Sequence, residues 1–301
     1  MYNTTMIINH PELLASYWTI AGDIYPLGPN EISPFSFADR IEAAANAGFK
    51  GVGLLHNDVM STVDKIGYAE MVRVLEHNDI KHIHLEYLVD WYSNGDKRRN
   101  SDKVRHELLV ASQELGVSII KIGPGIGEET ADIDTMSEEF YKLSRQATEH
   151  GASIALEIAP YSNVHSIDTA LQIVQNANES KGGILLDIWH LSRGKIDFSA
   201  IAKIPAHFIT SIELSDADKY PVEPLWVDTT LRRQLPGEGN IDITSFILAV
   251  QAAGYNGPWG VEILSETYRK LPLDVMSSRA FNATIMQFEI TNNLSFSSLK
   301  R

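Results

Sequence analysis

The 301-residue chain contains no cysteine. That excludes disulfides, thiolate nucleophiles, iron–sulfur ligation and zinc sites built on thiolates, and it fits a reducing cytoplasm, the expected location. No apolar run approaches the roughly 20 residues that cross a bilayer. The opening MYNTTMIINHPELLASYW has no basic region ahead of a clean apolar stretch, so no signal peptide is expected. Positive charge is also scarce, with 25 Lys and Arg against 39 Asp and Glu, a formal net charge of −14. A surface of that sign repels phosphate backbones and anionic lipids at long range, which argues against nucleic-acid and membrane partners. Apolar residues make up 44% of the chain and charged residues 21%, as in ordinary globular domains. The length suits one closed α/β barrel occupying residues 1–301.

Short apolar runs alternate with helical periodicity along the chain. Strands are predicted over Ala15–Ile20, Gly51–His56, His82–Leu88, Ser118–Gly123, Ser153–Ile158, Ile184–Trp189, Phe208–Leu214 and Trp259–Leu264. Helices are predicted over Phe37–Ala47, Val63–Glu76, Lys103–Leu115, Ser137–Glu149, Ile167–Ala177 and Ile243–Ala253. Gly48, Gly116, Gly151 and Gly254 read as helix ends, and Ser33-Pro34 and Asp242 as helix starts. Eight such units permit a doubly wound sheet or a barrel. No GxGxxG follows the first strand, and the glycines at Gly123, Gly125 and Gly127 have the wrong spacing for a dinucleotide fingerprint. A (β/α)8 barrel is therefore expected, its longest loop running from Asp216 to Gly239.

In a barrel, catalytic groups stand where strands end. Strand five ends SIALEIAP and carries Glu157, strand six ends ILLDIWH with Asp187 and His190, strand seven reads FITSIELSDAD with Glu213 and Asp216, and strand eight reads WGVEIL with Glu262. Burying four such charges without compensation is costly. A divalent cation held by Glu157, Asp187, Glu213 and Glu262 is the simplest remedy. An all-oxygen set favours Mn2+ or Mg2+, with Co2+ and Zn2+ next. The alternative is that one or two of these carboxylates pair with Lys121, Arg232 or Arg233. His56 and His84 at strand ends, His190 and Arg233 are the candidate substrate contacts, Arg233 because a guanidinium fork fits substrate oxygens. Lys121 with the turn from Gly123 to Gly127 offers a candidate phosphate cradle.

At these residues the chain resembles the xylose isomerase-like superfamily of TIM barrels, in its sugar phosphate isomerase/epimerase branch. The resemblance rests on FADRIEAAANAGFKGVGL, LEIAP, LLDIWHLSRG, RRQLPGEGNIDITSFILAVQAAGYNGPWGVEIL and SRAFNAT, and spans nearly the whole chain. It implies that Glu157 and Glu262 both bind a metal and act as acid and base, that Asp187 is a ligand, and that His190 touches the substrate. One departure stands out. The family's strand-seven HxxD reads Glu213-Leu214-Ser215-Asp216 here, which makes the site more anionic.

The implied chemistry is proton abstraction next to a carbonyl, through an enediolate, on a small polyhydroxylated substrate. Isomerisation or epimerisation of a sugar or sugar phosphate is the leading expectation. A dehydratase acting on an inosose or a dehydroshikimate-like ring is the alternative. An endonuclease-four-type nuclease and a non-catalytic sugar-binding barrel rank below these, and the family's habit of pairing implies a homo-oligomer.

Overall fold

The computed structural model describes residues 11–127, 130 and 132–298. The opening ten residues, on which the signal-peptide expectation partly rests, lie outside them. Eight parallel strands close into a barrel in sequence order, β8 pairing back onto β1. They are β1 (Leu13–Ala15), β2 (Gly51–Leu55), β3 (His82–Leu88), β4 (Ile119–Ile122), β5 (Ser153–Glu157), β6 (Gly182–Asp187), β7 (Ile209–Leu214) and β8 (Trp259–Val261).

The helices are α1 (Tyr17–Ile20), α2 (Phe37–Ala47), α3 (His56–His77), α4 (Gly95–Leu115), α5 (Ile133–Glu149), α6 (Ile167–Ala177), α7 (Ile188–Arg193), α8 (Leu225–Leu231), α9 (Ile243–Ala252) and α10 (Leu273–Ser298). Among the described residues, no helix is long and apolar enough to cross a membrane.

The largest difference from the sequence reading is at the start of the barrel. The run predicted as strand Ala15–Ile20 is the end of β1 followed by the buried turn of helix α1. Every residue from Leu13 to Ala21 is buried, so neither a period of two nor one of 3.6 could show in the hydropathy pattern. Helix α2 starts after Ser36, whose hydroxyl accepts from the Asp39 backbone N–H, and not at Ser33-Pro34. Helices α3 and α4 begin earlier than their periodicity suggested. The first half of α4, GDKRRNSD, is polar all round, and α3 is interrupted at Gly67. The Asp242 cap is as read, its side chain accepting from Ser245 N–H at 3.0 Å.

Outward-facing strand residues pack against the helix ring to form the main core. Inside the barrel, Ile119, Ala155 and Leu185 form a small apolar plug beneath the polar mouth. At Gly48, the left-handed cap of α2 with φ +115°, an added Cβ would lie 2.5 Å from the Phe281 ring on α10, so only glycine allows that approach. A buried ion pair joins Arg40 on α2 to Asp58 on α3, and the same carboxylate accepts the Ser33 backbone N–H at 3.0 Å. Asp58→Ala leaves a buried guanidinium unpaired and is expected to cost about 3–5 kcal/mol, read as a lower chemical-denaturation midpoint. A change below ~1 kcal/mol would show that water reaches the pair.

Candidate active site

The strand register brings the polar residues to one end of the barrel. Asp187 pairs with Glu213, Glu213 with Gly260, and Glu157 with Leu185. A cavity of about 330 Å3 opens there, lined by Glu86, Glu157, Glu213 and Glu262, with Lys121 and Arg233 among them. Asp187 lies behind this lining and is fully buried.

The strand-end carboxylates are present as read, but their oxygens fall into two groups rather than one. Glu157 and Asp187 gather with His190, and Glu213 and Glu262 gather with Glu86. The reason is that two fully buried cations stand among them. Lys121 Nζ is paired with Glu213 and lies 2.9 Å from Glu86 Oε1. Arg233 Nη1 lies 2.6 Å from Asp187 Oδ2 and 3.1 Å from Glu262 Oε2, and its guanidinium carbon sits 5.2 Å from the centre of the Trp189 ring. The pairing alternative is thus realised for Lys121 and Arg233. Arg232 turns outward to Asp218 at 2.5 Å.

Local structure explains these positions. Asp187 closes β6 and caps α7, accepting from the backbone N–H of Trp189 at 2.7 Å. That same helical turn places His190 Nε2 at 3.4 Å from Glu157 Oε1 and 3.8 Å from Asp187 Oδ2. Gly53 on β2 leaves the space that Glu86 fills, since a Cβ there would stand 2.7 Å from Glu86 Oε1. The β3–β4 register shifts between Leu85 and Leu88, and both Glu86 and Tyr87 face the cavity. Tyr87 donates its phenol hydrogen to Glu157, and Ser16 donates to Glu213 Oε1 at 2.5 Å.

The environment separates the glutamates. Burial works against the charge of Glu157, but His190, the Tyr87 hydroxyl and Arg233 outweigh it and bring its pKa down to about 2. Burial raises Glu213 to about 7, with Lys121 opposing and Glu86, Asp187 and Glu157 adding to the rise. Glu262 is pushed well up by burial and by Glu213, against the pull of Arg233 and Lys121. Burial tends to strip Lys121 of its proton, yet Glu213 and Glu86 hold it firmly cationic.

The other candidates are distributed as follows. His190 and Arg233 line the cavity. His56 stands at its edge with Nε2 2.7 Å from Glu107 Oε2. His84 does not line the cavity. It lies two residues below Glu86 on β3, fully buried, and burial lowers its pKa well below the usual imidazole value. Tyr87 and Ser16 complete the cluster without having been singled out, and with them Glu86, which the sequence offered beside His84 at the end of strand three and as a metal ligand only in the nuclease alternative. The signal available for Glu86 was the alternation in HIHLEYL, which puts His84 and Glu86 on one face.

Asp216 has a different role from its neighbours. Its carboxylate accepts the backbone N–H groups of Ala217, Gly237, Gly239 and Ile241 at 2.8 to 3.0 Å, pinning the loop that carries Arg233. Asp216→Ala is expected to leave these amides unsatisfied and cost about 2–4 kcal/mol. Hydrogen exchange at Gly237 and Gly239 should accelerate at least tenfold. Unchanged protection would show that the loop is held by other contacts.

Each group brings three ligand atoms, carboxylate oxygens with the His190 ring in one of them, within 4.8 Å of one another, and that donor set fits a divalent cation.

Residues 41–281 match the family described as Xylose isomerase-like TIM barrel. A 3-dehydroshikimate dehydratase of Pseudomonas aeruginosa is 23% identical over 78% of this chain, and the chain spans only 37% of that relative's length. An inosose isomerase of Bacillus subtilis is 24% identical over 68% of this chain and 76% of its own. Among solved structures, the IolI protein with a bound zinc atom superposes with a TM-score of 0.81 at 19% identity, over 92% of this chain and 97% of that one. With four-fifths of its length matched and the closed eight-stranded barrel in place, the chain belongs to the xylose isomerase-like TIM-barrel family.

Proposed function

We propose that the chain is a metal-dependent isomerase or epimerase of a small hydroxyketone, working by proton transfer next to the carbonyl. The observation that carries this reading is the placement of two buried glutamates, Glu157 and Glu262, in one cavity, the first accepting from the Tyr87 hydroxyl and the second beside Arg233. Two carboxyl groups held in one site can take and give a proton.

Glu157, Asp187, Glu213 and Glu262 would hold the ion, which would draw together oxygens that now fall into two groups, Glu157 and Asp187 with His190, and Glu213 and Glu262 with Glu86. When bound, a divalent ion supplies Lewis acidity to the carbonyl and an adjacent hydroxyl, and offsets the negative charge of the cluster. Mn2+ or Mg2+ suits the oxygen-rich set best.

Glu157 is ionised and accepts the proton from the carbon beside the carbonyl, leaving an enediolate. Tyr87 fixes its carboxylate through the phenol hydrogen bond. Glu262 carries a proton and delivers it to the other carbon or face. Arg233 orients Asp187 and Glu262 together. His190 and His56 line the same cavity and would meet substrate hydroxyls.

A second reading follows from the raised Glu262. Its proton can also pass to the β-hydroxyl of the enediolate, whose C–O bond then breaks so that water leaves, and the outcome is dehydration. NMR in D2O distinguishes the two with a panel of ketoses, inososes and dehydroshikimate. Deuterium next to a carbonyl with substrate carbon count and oxygen count preserved supports the isomerase reading, and loss of water supports the lyase. No exchange with any metal-loaded sample would overturn both.

A further inference from the structure

The upper cavity differs from its floor. Charge is concentrated at the bottom, whereas Trp18, Leu55 and Leu264 belong to one small apolar cluster that forms part of the wall. Tyr161 and Trp226 meet edge to face on the wall as well, with ring centres 6.0 Å apart.

Among the described lining residues the fixed cations are Lys121 and Arg233, and neither has capacity to spare. Lys121 is held by Glu86, Glu213 and, at 3.5 Å, Ser16 Oγ. Arg233 is engaged by Asp187, Glu262 and Thr229. His56 at the edge is already paired with Glu107, and Glu31 adds another acid to the lining.

The glycine turn expected to cradle a phosphate is also closed to one. Gly123 N–H donates to Leu88 O at 2.8 Å, Gly125 N–H to Asn163 Oδ1 at 2.8 Å, and Gly127 N–H to Tyr161 O at 3.0 Å. An anion needs free donors of this kind, aimed into the cavity. With Glu262 protonated, four carboxylates face two fixed cations and one divalent ion, so no positive charge is left over for an anion. A charged substituent would lose its water and find no counter-charge in return.

We infer that the site takes an uncharged, unphosphorylated hydroxyketone with a carbon-rich face, such as an alicyclic ring or a ketose lying against Trp226 and Leu264. This rests on the enolisation reading and narrows it. Phosphorylated ketoses and anionic rings such as dehydroshikimate are excluded as preferred substrates, although a relative acts on the latter.

Calorimetric titration of the full chain, loaded with Mn2+ and desalted, tests this with matched compounds. The panel pairs a free ketose with its phosphate ester, and an uncharged inosose with dehydroshikimate. Each uncharged member is expected to bind at least tenfold more tightly than its charged counterpart. Leu264→Ser should weaken the inosose at least fivefold with the Mn2+ stoichiometry unchanged. Equal or tighter binding of the phosphate ester, no binding by any uncharged compound, or indifference to Leu264→Ser would overturn the inference. Deuterium exchange confined to a phosphorylated ketose would defeat it and uphold the enolisation reading. Tight binding of uncharged rings with no exchange would do the reverse.

Discussion

Glu157→Gln is expected to abolish deuterium exchange next to the substrate carbonyl while leaving the fold intact. The amide keeps the shape, so Tyr87 still has an oxygen to donate to and β5 is undisturbed. What is lost is the carboxylate proposed to accept the proton. Removing a positioned general base commonly lowers turnover by about 10²–10⁴-fold. The loss should exceed that range if the same carboxylate also holds the ion. Exchange rates within threefold of the parent protein would mean that another group takes the proton.

Lys121→Met should produce a loss of stability as large as that of Asp58→Ala. The ammonium is the charge partner of both Glu86 and Glu213, all three buried within the barrel. Breaking such a pair by removing one partner costs about 3–5 kcal/mol. The deficit depends on pH, and its sign follows from Glu213. Its pKa is about 7 in the folded metal-free protein against 4.5 ordinarily, so the folded state binds the proton more tightly. The resulting stability is complete below pH 4.5 and is lost as the pH rises through 7. Between pH 5.5 and 8 the metal-free parent should lose about 2 kcal/mol from this group alone. Removing Lys121 takes away the cation that most lowers Glu213, so the variant should fall further behind at pH 8 than at pH 5.5. Glu213→Gln should flatten the slope, and saturating Mn2+ should reduce it in the parent. A metal-free protein more stable at pH 8 than at 5.5 would contradict this account of the cluster.

The barrel was legible because its signals repeat. The period of 3.6 gave the spans of helices α2 and α6 in full, although the start of α2 was expected at Ser33-Pro34 and lies at the Ser36 cap, and the Ser166 cap of α6 was not read. Strand β3 was also read in full. The start of the barrel was not, because Leu13 to Ala21 is buried on every side and carries no period. The first turns of α4 lack an apolar stripe and are held by tertiary contacts such as Ser101 Oγ to Val89 O at 2.7 Å.

At the site, position along each strand was enough to select Glu157, Asp187, Glu213 and Glu262, because a charge at the end of an apolar run has few other places to go. How those charges divide was not readable. That depends on Lys121 reaching across from β4 to Glu213 on β7, and on Arg233 returning from a loop to Asp187. Both are contacts between residues far apart in sequence. Lys121 within IIKI was the visible hint, a lone cation in an apolar strand. Asp216 reads as a further strand-end acid, yet four backbone amides consume it.

The barrel-mouth carboxylates are proposed to close around a single divalent cation. Calorimetric titration of chelator-stripped protein with Mn2+ tests it most directly. The account predicts one ion per chain, with affinity reduced at least 100-fold in Glu262→Gln and Asp187→Asn, both at full folded content by circular dichroism. No binding of Mn2+, Mg2+, Co2+ or Zn2+ by folded parent protein would contradict it, and would leave Lys121 and Arg233 as the cluster's only counter-charges.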